Sequence, residues 1–597
     1  MNNYRNILLA IAVATVTSMA AQKESLTKEI TVEKDYVPTE EKANKLNNLP
    51  EVSKVTTQKK SLDYSDWTAP TTINPFIPTM LPIGHDTTHK FSTKRGYFDF
   101  GMGSFLNMTG SAGYKILDSN VNSLNVWIQH NSSWTGKNST KYIDDYNKAV
   151  DMINTPNEHL VPLKQKFNDN IIGVDFFHSF GNIVAGVNAF YHYDHFNRYG
   201  NSRESTKDIW QTVNEFNIAL SLKNIQKDSG IKYFAGLSYD HFGNNGHIKE
   251  NDFRLNGGVS MQSGEKSRIG IDLIADYLYY TNPYGVNDEQ PYSVSYVGNN
   301  SYSLISLSPY YQLYGDKANL RFGVNFDLSI SDGTILRFSP NVKFDYKFIN
   351  GFMFYADVNG GKKLNTFSKL STINRYFNPS MVLGSSYSPL DAVAGFKVGP
   401  FAGFTAKVWG GYAIVNNQQL PWINSDVFDV AGGLLPHNYT PYFDVTSYRG
   451  ENMSGWQVGG EIAYKYKNIA ELSARIAYSP QNENKGYVFS EDRPEYIIGA
   501  QLKVTPIEKL CITANYELRG NRAMWSRSEY GQAPVTISYM KSELGNVNLL
   551  NLGAEYRIND MFGVFAQFNN ILNKQWDNYF FMGSQKFNAL GGISILF

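Results

Sequence analysis

The stretch LRFGVNFDLSI, residues 320–330, decides the fold of this chain because apolar and polar side chains alternate along its whole length. In an extended strand, one face would be entirely apolar. The other face would carry Arg321, Gly323, Asn325, Asp327 and Ser329. Burying such groups without partners costs free energy, whereas a water-filled lumen accepts them. The stretch therefore predicts a strand that faces lipid on one side and water on the other.

The same alternation recurs through residues 96–597, for example in 182–194, 402–414, 510–519 and 550–558. The pattern is weak in a single segment but specific when repeated, and it is typical of a transmembrane antiparallel β-barrel. About twenty-two segments of this kind can be assigned, and bacterial single-chain barrels have an even strand number. An aromatic content of 14% supplies rings for girdles at both membrane interfaces.

The connections between these segments alternate in length. Connections after even-numbered segments are short, and every long one follows an odd-numbered segment, namely 134–168, 281–301, 362–383, 416–453 and 521–546. Outer-membrane barrels have short periplasmic turns and long extracellular loops. The sequence therefore predicts a barrel in the cell outer membrane with both termini in the periplasm.

The N-terminal residues predict export. Residues 1–21, MNNYRNILLAIAVATVTSMAA, combine a positive Arg5, a short apolar run and small residues before a cleavage site, as in a secretory signal peptide. Residues 22–95 are rich first in Lys, Glu and Thr and later in proline, which disfavours helices and central strands. They predict an extended arm that lies in the periplasm or threads the lumen, followed by the barrel at 96–597.

Composition and motifs argue against several other functions. The formal charge is +0, from 54 basic and 54 acidic residues, so no global field favours nucleic acid. The one cysteine, Cys511, permits no disulfide within the chain. Neither a GxSxG elbow nor a phosphate-binding glycine loop occurs, and the histidine pair of HDTTH, residues 85–89, stands among prolines. We expect no catalytic residues, metal or cofactor.

The C-terminal residues resemble a known family. The segment FNNILNKQW, residues 568–576, is followed by a last strand that ends on Phe597. This arrangement is similar to the end of TonB-dependent receptors, and RGYFDFG (95–101) and QHNSS (129–133) resemble segments of such barrels from Bacteroidota. The resemblance implies a twenty-two-strand barrel. Phe597 is then a signal for the barrel-assembly machinery. Residues 22–95 are shorter than the plug domain of that family, which implies a reduced or missing plug.

Candidate residues follow from this topology. Wall residues facing the lumen could set solute selectivity or pair to stiffen the barrel, with Arg321 and Asp327 as one such pair. They are Arg321, Asn325, Asp327, Glu517, Arg519, Glu555 and Arg557. Aromatic residues of the long loops could bind a glycan, peptide or protein outside the cell. They are Trp134, Trp422, Tyr439 and Tyr442.

Three functional hypotheses remain open at this point. The first is a receptor-like barrel that admits a solute across the outer membrane. The second is a plugless subunit of an outer-membrane assembly that binds surface lipoproteins or another barrel. The third, an outer-membrane enzyme, has no supporting motif. All three place the barrel wall in outer-membrane lipid.

Overall fold

The computed structural model describes only part of the chain, and most of the predicted barrel lies within it. The described residues are 94–137, 148, 151, 164–199, 209–224, 230–245, 248–281, 301–377, 383–423, 446–480, 494–530, 536–579 and 582–597. The predicted signal peptide and nearly all of the predicted arm lie outside them.

The described residues are almost all in strands, which form by the alternation noted above. In chain order the strands are β1 (Gly96–Gly103), β2 (Met108–Asp118), β3 (Asn122–Lys137), β4 (Lys164–Phe180), β5 (Ile183–Arg198), β6 (Ile209–Asn224), β7 (Ile231–Asn244), β8 (Lys249–Gly264), β9 (Ser267–Thr281), β10 (Ser301–Tyr314), β11 (Ala318–Ile330), β12 (Leu336–Ile349), β13 (Phe352–Lys363), β14 (Ser386–Phe401), β15 (Phe404–Ile423), β16 (Thr446–Tyr466), β17 (Ala470–Tyr478), β18 (Tyr496–Ile507), β19 (Leu510–Gly520), β20 (Arg522–Tyr530), β21 (Thr536–Leu544), β22 (Val547–Arg557), β23 (Phe562–Asn569), β24 (Asp577–Tyr579), β25 (Met582–Gly583) and β26 (Asn588–Leu596).

Twenty-two of these strands form a single antiparallel sheet, and the hairpins β20–β21 and β24–β25 stand apart from it. Each barrel strand pairs with its neighbours in the chain, and β1 closes the circle by pairing with β26. Closure satisfies the backbone groups that an open edge would expose to lipid. The predicted fold and strand number are confirmed.

The two faces of β11 show why the alternation was decisive. The Phe322 side chain is 61% exposed on the outer face, whereas Asp327 on the inner face is 1% exposed. Apolar side chains therefore point away from the barrel and polar ones towards its interior, the reverse of a soluble protein.

Rings on the outer face form two bands. Near the long-loop end, Phe216, Tyr239, Phe253 and Tyr277 follow one another on β6 to β9, with centroid separations of 6.5, 4.7 and 6.4 Å. We call these four residues the outer girdle. At the short-turn end, a second row includes Tyr346, Phe348, Phe352 and Phe396. Girdles of aromatic side chains of this kind flank the apolar band of a membrane barrel at its two interfaces.

The connections follow the predicted division. The short ones include the turn between β12 and β13, where Gly351 has a φ of +80°, a backbone conformation that favours glycine. The long ones emerge at the opposite end. No helix among the described residues has the length and apolar character needed to cross a bilayer.

Chemical labelling of the single cysteine tests the orientation of the barrel in the membrane. Cys511 is the second residue of β19, directly after a short turn, and lies on the face opposite the exposed Ile512. A bulky maleimide should therefore label Cys511 in intact cells only after the outer membrane is permeabilised. A Cys511→Ser variant gives the background. Equal labelling with and without permeabilisation would contradict this orientation.

Candidate functional site

The connection between β13 and β14 packs against the inner wall of the barrel. We call residues 364–385 the mouth loop; 378–382 of it lie outside the described residues. It begins with a short helix, α1 (Phe367–Ile373), capped by the Thr366 side chain, which accepts a hydrogen bond from the Lys369 N–H at 3.2 Å. Such a cap satisfies one of the free N–H groups at a helix start.

A carboxylate of the barrel wall holds the start of this helix. Glu250 on β8 is only 2% exposed. Its carboxylate accepts hydrogen bonds from the Phe367 N–H at 2.7 Å and the Ser368 N–H at 3.1 Å. The Ser368 hydroxyl also donates to Glu215 on β6. A negative group at a helix N-terminus is electrostatically favourable, so α1 is fixed to two strands of the wall.

A guanidinium group holds the other end of the helix. Arg375 donates to Asp194 on β5 at 3.0 Å and to Asp169 on β4 at 3.3 Å. His192 lies between Asp169 and Glu215, at 3.1 and 3.2 Å. The Arg375 contacts and the Glu250 contacts are thus parts of one polar network that joins the mouth loop to β4, β5, β6 and β8.

Apolar side chains fill the space between the loop and the wall. Phe367 packs against Tyr280 and Phe377, with ring centroids 5.7 and 6.0 Å apart. The buried cluster comprises Phe196, Tyr199, Val213, Phe242, Ile248, Leu278, Tyr280, Tyr302, Leu304, Leu364, Phe367, Leu370, Tyr376, Phe377 and Leu383. Burial of each such side chain stabilises the packed state by about 1.5–3 kcal/mol. The mouth loop therefore has a hydrophobic core of its own inside the barrel.

Burial also changes the electrostatics beneath α1. The Lys369 ammonium is removed from water, which lowers the pKa of this side chain below its ordinary value; the positive charge of Arg254 lowers that pKa further. The Lys369 ammonium donates to the Leu364 carbonyl at 3.1 Å. The inner wall here carries Asp252 and Asp276, and Arg254 pairs with Asp276 at 2.5 Å. The site is thus a mixed-charge surface partly covered by the helix.

One predicted ion pair of the wall is wrong. Arg321 donates to Asp272 at 2.8 Å and stacks on the Tyr310 ring at 3.6 Å. Asp327 instead accepts from the Lys362 N–H at 2.9 Å. Arg321 and Asp327 share one face of β11 but stand six positions apart, about 20 Å along an extended strand. Partners on neighbouring strands are much nearer.

The other predicted wall residues contact one another or their neighbours. Arg519 donates to Glu517, and both side chains are buried. Arg557 lies 3.5 Å from Glu555. Asn325 accepts from the Asn341 amide and donates to Asn359, both at 3.0 Å. These contacts stiffen the wall; a role of these residues in solute selectivity stays a prediction.

The predicted loop aromatics lie in different places. Trp134 belongs to β3, where it stands opposite Lys166, and Trp422 belongs to β15, opposite Ser447. The expectation that both lie in loops is wrong, because these strands continue beyond the predicted ends. Tyr439 and Tyr442 lie outside the described residues. Ligand binding by these four residues stays a prediction.

The last residue completes the closure of the barrel. The Phe597 N–H donates to the Gly96 carbonyl at 3.0 Å, and the Gly96 N–H donates to the Phe597 carbonyl at 2.8 Å. The Phe597 ring stacks near Tyr114 with centroids 6.1 Å apart. Phe597 therefore continues the pairing between β1 and β26, and its role as an assembly signal stays a prediction.

Sequence reasoning missed the mouth loop as an inward-packed element. Arg375 of this loop contacts Asp194 of the inner wall, and no local sequence pattern pairs the two residues. The available signal was Thr366 as a helix cap, followed by the sequence NRYF at 374–377, unusual in a solvated loop. Among the described residues, no group of three or more His, Cys, Asp or Glu side chains could hold a metal ion.

The closed sheet with exposed apolar outer faces and a loop packed in its interior defines the architecture of a large outer-membrane barrel. Neither a protein-family model nor a curated protein matches the sequence. Solved structures do match the fold. The ferric enterobactin receptor PfeA from Pseudomonas aeruginosa has a TM-score of 0.58 at 12% identity, over 84% of this chain and 80% of that chain.

Two further structures give the same result. The siderophore receptor PirA from Acinetobacter baumannii has a TM-score of 0.57 at 10% identity, over 84% of this chain and 80% of its own. FpvAI, in its complex with pyocin S2, has a TM-score of 0.57 at 12% identity, over 84% and 73% of the two chains. At these identities the similarity establishes the fold alone, and PfeA and PirA, which share it, are described as receptors.

Proposed function

We propose that this chain is a receptor-type barrel of the outer membrane that admits a solute across it, with the mouth loop as a fixed constriction. The mouth loop carries this proposal. A wide barrel leaks unless its lumen is obstructed, and here α1 is fastened to the inner wall by Glu250, Arg375 and a buried apolar core. A loop that only covered the mouth from outside would not need such anchors.

The comparisons support this function. The solved barrels of the same fold are described as siderophore receptors. The N-terminal sequence supports export through a signal peptide at 1–21, and the alternation of turn lengths supports periplasmic termini. The predicted arm, residues 22–95, is our candidate for a second obstruction of the lumen, and nearly all of it lies outside the described residues. Uptake assays would identify the solute and the energy source.

Single-channel conductance tests the proposal. The purified chain in a planar bilayer should open rarely or with small steps, and a variant that lacks residues 22–95 should conduct more. Mock preparations from cells without the gene give the background. If both forms remain silent, this barrel does not conduct and the transport proposal fails.

The second candidate is a subunit of an outer-membrane assembly. Its support is that a barrel of this fold has been solved with a protein bound, the FpvAI–pyocin S2 complex. Surface lipoproteins or another barrel would be the partners here. Gentle purification from the native membrane should then yield a stoichiometric partner, and a barrel that purifies alone would contradict this candidate.

A further inference from the structure

The outward faces of β3, β4, β5 and β6 change from apolar to largely polar side chains beyond the outer girdle. Ile128 on β3 and Ile172 on β4 are exposed apolar side chains on the outer face. Regular pairing continues from them towards the long-loop end, where His130 stands opposite Asn170 and Trp134 opposite Lys166. Because alternate residues share a face, His130, Asn170, Trp134 and Lys166 also point outward from the barrel.

We call this surface the outer-wall belt. It consists of the outward-facing residues His130, Trp134, Lys166, Asn168, Asn170, Tyr193, His195, Trp210 and Asn214. All lie on the long-loop side of the outer girdle. None of the outward-facing residues in this described part of the wall is Asp or Glu.

Hydrogen bonds among amide, imidazole and hydroxyl groups hold part of the belt in place. His130 lies 2.8 Å from the Asn170 side-chain oxygen, and the Asn170 amide donates to Asn168 at 2.8 Å. The Tyr191 hydroxyl, just below, donates to Asn214 at 2.6 Å. Both ring nitrogens of His130 are engaged, the second by the Ser132 hydroxyl at 3.0 Å, and the amides fixed in this way present further donors and acceptors on the outside of the wall.

Aromatic rings and one cation form the upper part of the belt. The Lys166 ammonium lies 5.7 Å from the Trp134 ring centroid and 5.9 Å from that of Trp210. The Trp210 ring stacks on His195 at 4.6 Å with an interplanar angle of 3°. Trp134 is 53% exposed, so one large ring remains accessible beside the positive charge. Flat rings accept the apolar face of a sugar, and an ammonium group pairs with phosphate.

The belt occurs on one side of the barrel. Strands β3 to β6 contain 16 or 17 residues each, more than a membrane crossing requires. By contrast, β11 and β12 are joined by a short hairpin whose outer side chains Ile330 and Leu336, on either side of the turn, are exposed and apolar. The wall of β3 to β6 thus differs from that of β11 and β12, so barrel closure alone does not require a polar belt.

We propose that the outer-wall belt binds the phosphorylated saccharide head of an outer-leaflet glycolipid. The inference rests on the outer-membrane placement proposed above. The belt lies just beyond the rings that mark the end of the hydrocarbon layer, which is the depth of lipid head groups. Trp134 stacks against a sugar ring, Lys166 pairs with a phosphate, and the amides and imidazoles bind sugar hydroxyls. The belt carries one cation and no carboxylate, so its charge complements an anionic head group.

Binding to nanodiscs of defined composition tests the proposal. The full chain is prepared as wild type, as Trp134→Ala/Lys166→Ala and as Lys166→Arg. A matched control is Trp456→Ala, since Trp456 is 47% exposed on the outward face of β16. Each is placed in discs of phosphatidylethanolamine with or without lipopolysaccharide that lacks O-antigen. Native mass spectrometry then counts bound lipopolysaccharide.

The double variant should retain about tenfold less lipopolysaccharide than wild type, as expected from the loss of one stacking contact and one charge-assisted contact. Lys166→Arg and Trp456→Ala should bind like wild type. Equal retention by all four proteins overturns the proposal. It is also overturned if the double variant loses a co-purifying protein while lipopolysaccharide binding is unchanged. Conductance recorded on the same samples reports on transport separately.

Discussion

Replacing Arg375 by alanine should release the mouth loop from the barrel wall and produce larger conductance steps than wild type. The Asp194 side chain is 4% exposed, and Arg375 is 26% exposed. Removing one member of a fully buried ion pair costs about 3–5 kcal/mol. Partial exposure of the guanidinium reduces that cost, so we expect the loop to lose about 2 kcal/mol of docking free energy.

Two variants separate this effect from general damage. Lys266→Ala removes an exposed pair with Asp316, where the side chains are 63% and 91% exposed, and should leave conductance unchanged. Arg375→Ala/Asp194→Asn removes the buried unpaired charge together with its partner and should restore part of the closed behaviour. If Arg375→Ala conducts like wild type, then the mouth loop does not limit the lumen.

Replacing Glu250 by alanine should free the first turn of α1. The substitution removes the acceptor of the Phe367 and Ser368 N–H groups in a site closed to water. Hydrogen bonds to charged groups contribute about 1.5–3 kcal/mol each, and a new cavity adds to the loss. We expect the amide hydrogens of residues 366–373 to exchange with solvent at least about a hundredfold faster, the equivalent of roughly 2.7 kcal/mol.

Hydrogen–deuterium exchange followed by mass spectrometry measures this change. Glu250→Gln retains one carbonyl oxygen and should show a smaller effect. Glu471→Ala, from the exposed pair with Lys465, should leave exchange in α1 unchanged. Unaltered protection of α1 in Glu250→Ala would mean that the apolar core alone holds the loop and that the carboxylate has another role.

The same contacts determine how stably the mouth loop is docked and how permeable the barrel is. The polar network lies at one edge of the buried cluster, and both fasten one loop to β4 through β10. Because Arg375 and Glu250 hold opposite ends of α1, loss of either should loosen the helix without opening the barrel sheet, whose closure depends on backbone pairing between β1 and β26.

The sequence alone determined the strands, their number and the direction of their faces. Every crossing must present apolar groups to lipid and satisfy its backbone in a closed sheet. Each segment meets the first requirement by alternating apolar and polar side chains along the strand. The stretch 320–330 follows this alternation without interruption, and the final strand follows it apart from Leu590 and Leu596 on the inner face. Short turns and long loops then alternate because antiparallel strands connect at alternate ends.

Only the tertiary structure decided which polar side chains meet and which loop enters the barrel. The partners of Arg375 are 181 and 206 positions away in the chain, and Glu250 lies 117 positions from Phe367. Such contacts depend on the register and tilt of many strands, which no local pattern encodes. The alternation places Arg321 on the inner face, but the neighbouring strand sets its partner as Asp272 rather than Asp327.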